Sequence, residues 1–503
     1  MMRLLWIDDE IDLLRPFIYS LRERGYDVDT ATNGPDGLDL FGGQSYDLVL
    51  LDQMMAGMTG IEVLRRIKER DPNVLVTMVT KSEEEPLIEE AYAELVDDFL
   101  IKPFTSAQLL AVLKRLLDKR RLVAGRIGQQ YLSALNTAPP PRDWRDWVER
   151  YRLLVGWQDK LGRYGDSALV GIQEERWREE NEEFGRFVDR EYRSWLGGDG
   201  PTLSHQVLPE HVLPRCEERP TCLLVLDAMR TDQWLALEPV IREFAAVETD
   251  HYCSLLPSAT PYSRNGMMAG LLPLQILRRY PHLWVFEESG QNRHEEELLA
   301  EHLRRVGFRH RFAYYRAGSG EELERVRGRL LDQEVRLTVV IVSFLDLLIH
   351  SIKSTRVLDE IVSDDAALVA MTRVWFKSSP LPDIIRSLTG RDRSVVITSD
   401  HGFLRVRRPT EIHGGRKMSA NLRYKHGGAI RVDERKALLL TRPADLMLPV
   451  DSATSSFAIA RSDYYFIYPT KPREYERTYK NTFQHGGISL PEMIVPVATV
   501  RPK

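Results

Sequence analysis

Two sets of residues in this chain have types and spacings suited to handling phosphate. The first is Asp8, Asp9, Asp52, Thr80 and Lys102; the second, beyond residue 220, is Asp227, Asp346, His350, Asp400, His401 and His485. Carboxylates gathered as closely as Asp8, Asp9 and Asp52 repel one another unless a hard cation is shared among them, and an all-oxygen site suits Mg²⁺. With the Thr80 hydroxyl and the Lys102 ammonium beside it, an aspartate there can accept a phosphoryl group, because cation and ammonium neutralise the oxygens in transfer. In the second set, Asp346 and His350 stand one helical turn apart and can face one ion, and Asp400-His401 is a compact pair. Carboxylate and imidazole without thiolate suit Zn²⁺ or Mn²⁺.

These residues need elements to position them. Between residues 3 and 119 the runs LLWI, DVDTA, DLVLLD, VLVTMVT and DDFLI alternate with amphipathic helical patterns. Strands alternating with helices predict a parallel, doubly wound sheet, whose ligands gather at the carboxyl ends of the strands. All five residues of the first set fall at or just beyond such ends. From about 106 to 196 the period is helical, interrupted by APPP at 138–141. Trp144, Trp147, Trp157, Trp177 and Trp195, five of the nine tryptophans, predict that this stretch packs as its own small bundle. Its charged run QEERWREENEEFGRFVDREYR reads as a solvated helix face with i to i+4 pairing, and GGDGP at 197–201 as a linker. Beyond it, TCLLVLD, LTVVIVSFLD and SVVITSD are continuous apolar runs, as in strands buried on both faces. Each delivers an aspartate at its carboxyl end, where an unpaired charge is costly without a cation. The chain is thus expected to be α/β: a doubly wound domain at 1–120, a helical bundle or linker at 121–205, and a second α/β domain at 206–503.

Composition narrows the function classes. A net charge of -5 from 69 basic and 74 acidic side chains argues against non-specific nucleic-acid binding. The acidic cluster at residues 8–10 is incompatible with a secretory signal, and no run approaches the length of a membrane span. A cytoplasmic protein without membrane insertion is expected. Cys216, Cys222 and Cys253, three in number, contain no Cys-x-x-Cys pair, which argues against a disulfide framework or a thiolate zinc site.

Residues 1 to about 119 resemble a response-regulator receiver domain. The resemblance implies that Asp52 is the phospho-acceptor, that Asp8, Asp9 and Asp52 bind Mg²⁺ together with the Gln53 carbonyl, and that Thr80 and Phe99 are the switch residues, Phe99 preceding Lys102-Pro103. Ala56, in DQMMAGMTG, stands where receivers usually carry proline. The resemblance further implies a cognate sensor histidine kinase and homodimerisation on phosphorylation through residues 84–119. No helix-turn-helix follows, so the output is not DNA binding of that kind.

The order Asp, Thr, Asp-x-x-x-His, Asp-His, His over residues 220–503 resembles the PglZ-type branch of the alkaline phosphatase superfamily. By that match Thr260, in LLPSATPYSRNGMMAGLLP, is the nucleophile, with Gly270 ending the helix it opens and Ser258 as the alternative. One zinc would be held by Asp227, Thr260, Asp400 and His401, the other by Asp346, His350 and His485, and the amides of the helix opening would meet phosphate oxygens. Arg264 and Asn265 are candidate phosphate contacts, and the segment RKMSANLRYKHGG, with His413 and His426, is either a solvated loop or an anion contact.

Receiver, helical spacer and PglZ-type domain together are similar to the PorX-type family of response regulators, which is associated with type IX secretion. That similarity implies a phosphorylation-controlled two-zinc phosphodiesterase acting on nucleotide or oligonucleotide-like diesters. Two alternatives stand beside it: a phosphomonoesterase or sulfatase of the same superfamily, and a scaffold with structural metals that binds a sigma factor or secretion component.

Overall fold

The computed structural model describes residues 2–71, 73–81, 95–164, 167–287, 290–332, 334–352, 358, 361–362, 364–415, 418–452 and 454–503. Its contacts divide the chain into two compact units, residues 1–139 with 157–171, and residues 140–156 with 172–503.

In the first unit, the expected apolar runs form β1 (Met2–Ile7), β2 (Tyr26–Ala31), β3 (Leu48–Asp52), β4 (Leu75–Thr80) and β5 (Asp98–Ile101). They make one sheet in the order β2-β1-β3-β4-β5, with parallel pairing throughout. Side chains alternate across the pleat. Leu4, Trp6, Leu48 and Leu50 therefore pack on one face with Leu109 and Leu113, while Leu5, Ile7, Val49 and Leu51 pack on the other with Val63, Leu64 and Ile67. Capping boxes at Thr59/Glu62 and Thr105/Gln108 start the helices α1 (Gly60–Arg70) and α2 (Ser106–Thr137), each satisfying amides that the helix itself leaves unpaired. Of the expected dimerisation face at 84–119, residues 84–94 lie outside the described residues.

The helical segment departs from the expected separate bundle. Trp144, Trp147, Phe184, Phe187 and Trp195 join one core with Tyr252, Leu490 and Val497 of the C-terminal domain. Trp157, by contrast, packs on Tyr131 inside the first unit. Two antiparallel helices bury little apolar surface by themselves, so the aromatic stripe is covered by whatever neighbouring core it meets. The charged run is only in part a solvated face. Arg176 pairs with Glu179 and Glu180 along the helix, but Glu174, Glu182 and Asp189 pair with Arg407, Arg408 and Arg461 of the C-terminal domain.

The C-terminal domain is built on six strands: β6 (Thr221–Leu226), β7 (Ala245–Cys253), β8 (Arg311–Ala317), β9 (Val335–Val342), β10 (Ser394–Thr398) and β11 (Ile494–Pro502). Their order is β7-β11-β10-β6-β9-β8. The central strands β10, β6 and β9 run parallel, with buried side chains on both faces, as their unbroken apolar runs require. Their carboxyl ends consequently lie side by side. No helix among the described residues is long and apolar enough to cross a membrane.

Candidate active site

At the first sheet, the loop after β1 carries Asp8 and Asp9, β3 ends in Asp52, β4 ends in Thr80 and Lys102 follows β5. Asp8 and Asp52 are buried. The Lys102 ammonium lies 2.8 Å from Asp8 Oδ2 and 2.9 Å from Asp52 Oδ1. Burial pushes the Asp52 carboxyl up, Lys102 pulls it down and Asp8 pushes it up again, leaving it above the usual range. Burial works against the charge on Lys102, but hydrogen bonds to Asp8 and Asp52 outweigh it and hold its pKa high. Gln53 is buried, and its carbonyl accepts from the Gly60 amide at 3.0 Å. Phe99 is part-exposed on β5.

At the second sheet, Asp227 follows β6 and Asp400-His401 follows β10, all three buried. Asp346 and His350 lie on α4 (Phe344–Ser351), which opens directly after β9, where α3 denotes Thr260–Ala269. Their separation of one turn brings His350 Nε2 to 3.3 Å from Asp346 Oδ1. His485 completes this group: its Nε2 is 3.3 Å from His350 Nε2, and its ring stacks on His401 with centroids 4.4 Å apart. The two groups are therefore contiguous.

His401 Nδ1 lies 3.0 Å from the Gly402 carbonyl. A carbonyl only accepts, so Nδ1 holds the proton and Nε2 presents a lone pair. Thr260 Oγ1 lies 2.9 Å from that Nε2 and donates to it. Thr260 is the first residue of α3, which ends at Gly270 in the left-handed region at φ 57°, as a C-terminal glycine permits. Ser258 is fully buried, and its hydroxyl donates to the Gly487 carbonyl at 2.6 Å; the geometry favours Thr260.

The electrostatics are those of crowded, desolvated ligands. Burial raises Asp227 to about 7 despite Arg264. Burial also acts to raise Asp346, but the hydrogen bond from His350 and the charge of His485 hold it well below the carboxylate range. His485 is pushed far down, first by burial and then by His401. In three groups, Asp227/Asp400/His401, Asp346/His350/His485 and Asp8/Asp9/Asp52, one ligand atom from each member lies within 4.8 Å of the others. Asp227 Oδ1 and His485 Nδ1 are buried without a hydrogen-bond partner. Orphaned buried oxygen and nitrogen donors in such sets fit divalent ions.

A family model described as the BREX system PglZ alkaline phosphatase-like domain matches residues 207–500. The chain belongs to the PglZ alkaline phosphatase-like family. A response regulator receiver model matches 4–114 and a PorX response regulator linker model 128–196, so the whole is a PorX-like response regulator. Among curated relatives, it is 33% identical over 117 residues to the transcriptional regulatory protein ResD of Bacillus subtilis, covering 23% of this chain and 48% of that protein. It is 31% identical over 126 residues to the response regulator ArlR of Staphylococcus aureus, covering 24% of this chain and 54% of that one. The chain thus spans about half the length of the curated relatives it matches. Among solved structures, the response regulator TrrA of Thermotoga maritima in complex with Mg²⁺-BeF is 32% identical, covering 23% of this chain and 100% of that one, at a TM-score of 0.22.

Within the PglZ-type domain several sequence expectations change. Of the amides at the α3 opening only that of Thr260 stays open to phosphate: Pro261 has none, and those of Tyr262 and Ser263 both donate to the Ala259 carbonyl, each at 3.0 Å. Arg264 lines the cavity but is engaged by carboxylates, at 2.5 Å from Asp227, 2.6 Å from Glu295 and 3.5 Å from Asp400. Asn265 donates to the Gln291 carbonyl at 3.1 Å and accepts from Asn292 at 3.2 Å. Of the three His-Gly-Gly triplets, only His485 joins the ligands; His413 is exposed on strand Arg408–His413, and His426 stacks on Phe457. Arg423 and Lys425 are buried rather than solvated: Arg423 forms a two-pronged pair with Glu492, and Lys425 donates to the carbonyls of Ser419 and Ala420. Arg416 and Lys417 lie outside the described residues.

A cavity of about 860 Å³ opens over Thr260, Asp227, Asp346, His350 and His485. Glu295, Asn292 and Arg316 were not singled out from the sequence. Glu295 is fully buried and holds both Arg264 and Arg316, the latter at 2.9 Å, and accepts from the Tyr314 hydroxyl. HEEELL reads as an ordinary acidic helix start, so no sequence signal distinguishes Glu295.

Proposed function

We propose that the chain is a phosphorylation-controlled response regulator whose output domain is a two-zinc phosphodiesterase for nucleotide or oligonucleotide-like diesters, with Thr260 as nucleophile. The observation that carries this reading is the Thr260 hydroxyl, 2.9 Å from the lone-pair nitrogen of His401 and beside two contiguous carboxylate-imidazole groups. Asp227, Thr260, Asp400 and His401 would hold one zinc, and Asp346, His350 and His485 the other. Zinc, when bound, would supply Lewis-acid charge that favours the threonine alkoxide and neutralises the phosphoryl oxygens. Gly402 fixes the tautomer of His401, and α3 fixes the direction of the Thr260 hydroxyl. Arg264 offsets the negative charge of Asp227 and Asp400 and keeps their carboxylates in place. The cavity has room for a diester with two organic groups.

In the receiver, Asp52 would accept the phosphoryl group from a cognate sensor histidine kinase, with Mg²⁺ held by Asp8, Asp9, Asp52 and the Gln53 carbonyl. Lys102 is placed to neutralise the acyl phosphate, while Thr80 and Phe99 would report it. Phosphorylation would favour a homodimer, and the PorX-like architecture supports a role in type IX secretion. With Zn²⁺ and bis(p-nitrophenyl) phosphate, the wild type is expected to release nitrophenol and Thr260→Ala to lose on the order of 10³-fold in kcat. Absence of turnover by wild type, or equal turnover by the variant, contradicts the enzymatic reading.

A further inference from the structure

Arg264 is already engaged by Asp227, Glu295 and Asp400, so substrate charge beyond the candidate metal groups falls to other cations on the cavity wall. Among the described residues lining the cavity, Arg293 and Arg316 are those cations. Arg293 is exposed, and its side-chain Nε donates to the neighbouring His294 ring. It has no carboxylate partner among the described residues.

Arg316 is held differently. Its Nε donates to the Tyr314 hydroxyl at 2.9 Å, and its Nη2 donates to the Asn292 carbonyl and pairs with Glu295. Three fixed partners orient the guanidinium plane and leave Nη1 as a donor without one of them. The side chain is 45% exposed and lines the cavity. Asn292 bridges the wall to the reaction centre: its Nδ2 donates to the Thr260 carbonyl at 3.1 Å, while its own carbonyl is held by Arg316. A single residue therefore separates Arg316 from the candidate nucleophile.

We propose that Arg293 and Arg316 form a second anion subsite, which binds a phosphate neighbouring the scissile one, so that the domain selects diesters carrying an adjacent anionic group over isolated diesters. This rests on the phosphodiesterase reading for its meaning but not for its test. A fixed guanidinium whose Nη1 is not taken by these partners can donate a charge-assisted hydrogen bond to a phosphate oxygen, and the exposed Arg293 adds charge without a competing carboxylate.

The test is binding to full-length Thr260→Ala protein, so that no probe is consumed. The probes are the thymidine dinucleotide TpT and its terminally phosphorylated forms pTpT and TpTp. At least one phosphorylated form is expected to bind about tenfold or more tightly than TpT, as hydrogen bonds to charged groups imply. Adding Arg316→Lys or Arg293→Ala should shrink that preference, and Arg293→Glu, a change on an exposed residue that leaves the buried pairs intact, should reverse it. Equal binding of all three dinucleotides, or a preference that survives in Arg293→Glu, overturns the subsite. If wild type fails to cleave any diester while the preference and its reversal persist, the subsite stands and the enzymatic reading falls.

Discussion

At the scale of single residues, the C-terminal site depends on one buried carboxylate that touches no candidate metal ligand. Glu295 holds Arg264, which in turn reaches Asp227 at 2.5 Å. Replacing it by glutamine leaves two guanidinium groups short of a counter-charge, and breaking a buried pair of this kind costs about 3 kcal/mol or more. Glu295→Gln should lower the urea midpoint accordingly and reduce kcat/KM, because Arg264 no longer fixes the Asp227 carboxylate. An unchanged midpoint would show that Arg264 is balanced by Asp227 and Asp400 alone. Asp227, Asp346, Asp400, His350 and His401 were legible in the sequence because each follows an apolar strand or keeps a helical spacing to its partner, whereas His485 was reached through the resemblance to the PglZ-type C-terminal motif. Glu295, Arg316 and Asn292 were not, since their roles arise from contacts between segments distant in the chain.

At the scale of elements, ligand position is set where strands stop. Gly402 directly follows His401, and a Cβ there would lie 2.0 Å from the Pro491 carbonyl oxygen. Backbone cannot yield as a side-chain tip can. Gly402→Ala is expected to displace the His401 loop, costing about 1–3 kcal/mol and lowering zinc content toward one ion per chain, measurable by elemental analysis. Two ions retained at wild-type stability would show that segment 490–493 moves aside. The strand runs were readable because unbroken apolar sequence admits few alternatives. The occupied amides of α3 were not: only the structure shows the Ala259 carbonyl taking both.

At the scale of the whole molecule, the helical segment is divided between two compact units. Trp147 and Phe184 share a core with Leu490 and Val497, so a fragment of residues 140–503 should unfold cooperatively, whereas one of residues 206–503 should not, exposing the apolar surface that those helices cover. Circular dichroism melting curves distinguish the two; cooperative melting of the shorter fragment would show the helices to be dispensable. Control from the receiver has its own test: an acyl phosphate donor with Mg²⁺ should shift the chain from monomer toward dimer by sizing chromatography, and Asp52→Ala should abolish the shift. A dimer formed equally by the variant would separate association from phosphorylation.

The sequence by itself determined both α/β domains and most of the residues that gather at their strand ends, because strand ends and helical spacing are local properties. Tertiary structure alone decided where the helical tryptophans are buried, which hydroxyl faces His401, and that Arg264 is held among carboxylates. Those outcomes depend on which distant segments share a core, and nearest-neighbour pattern does not specify that.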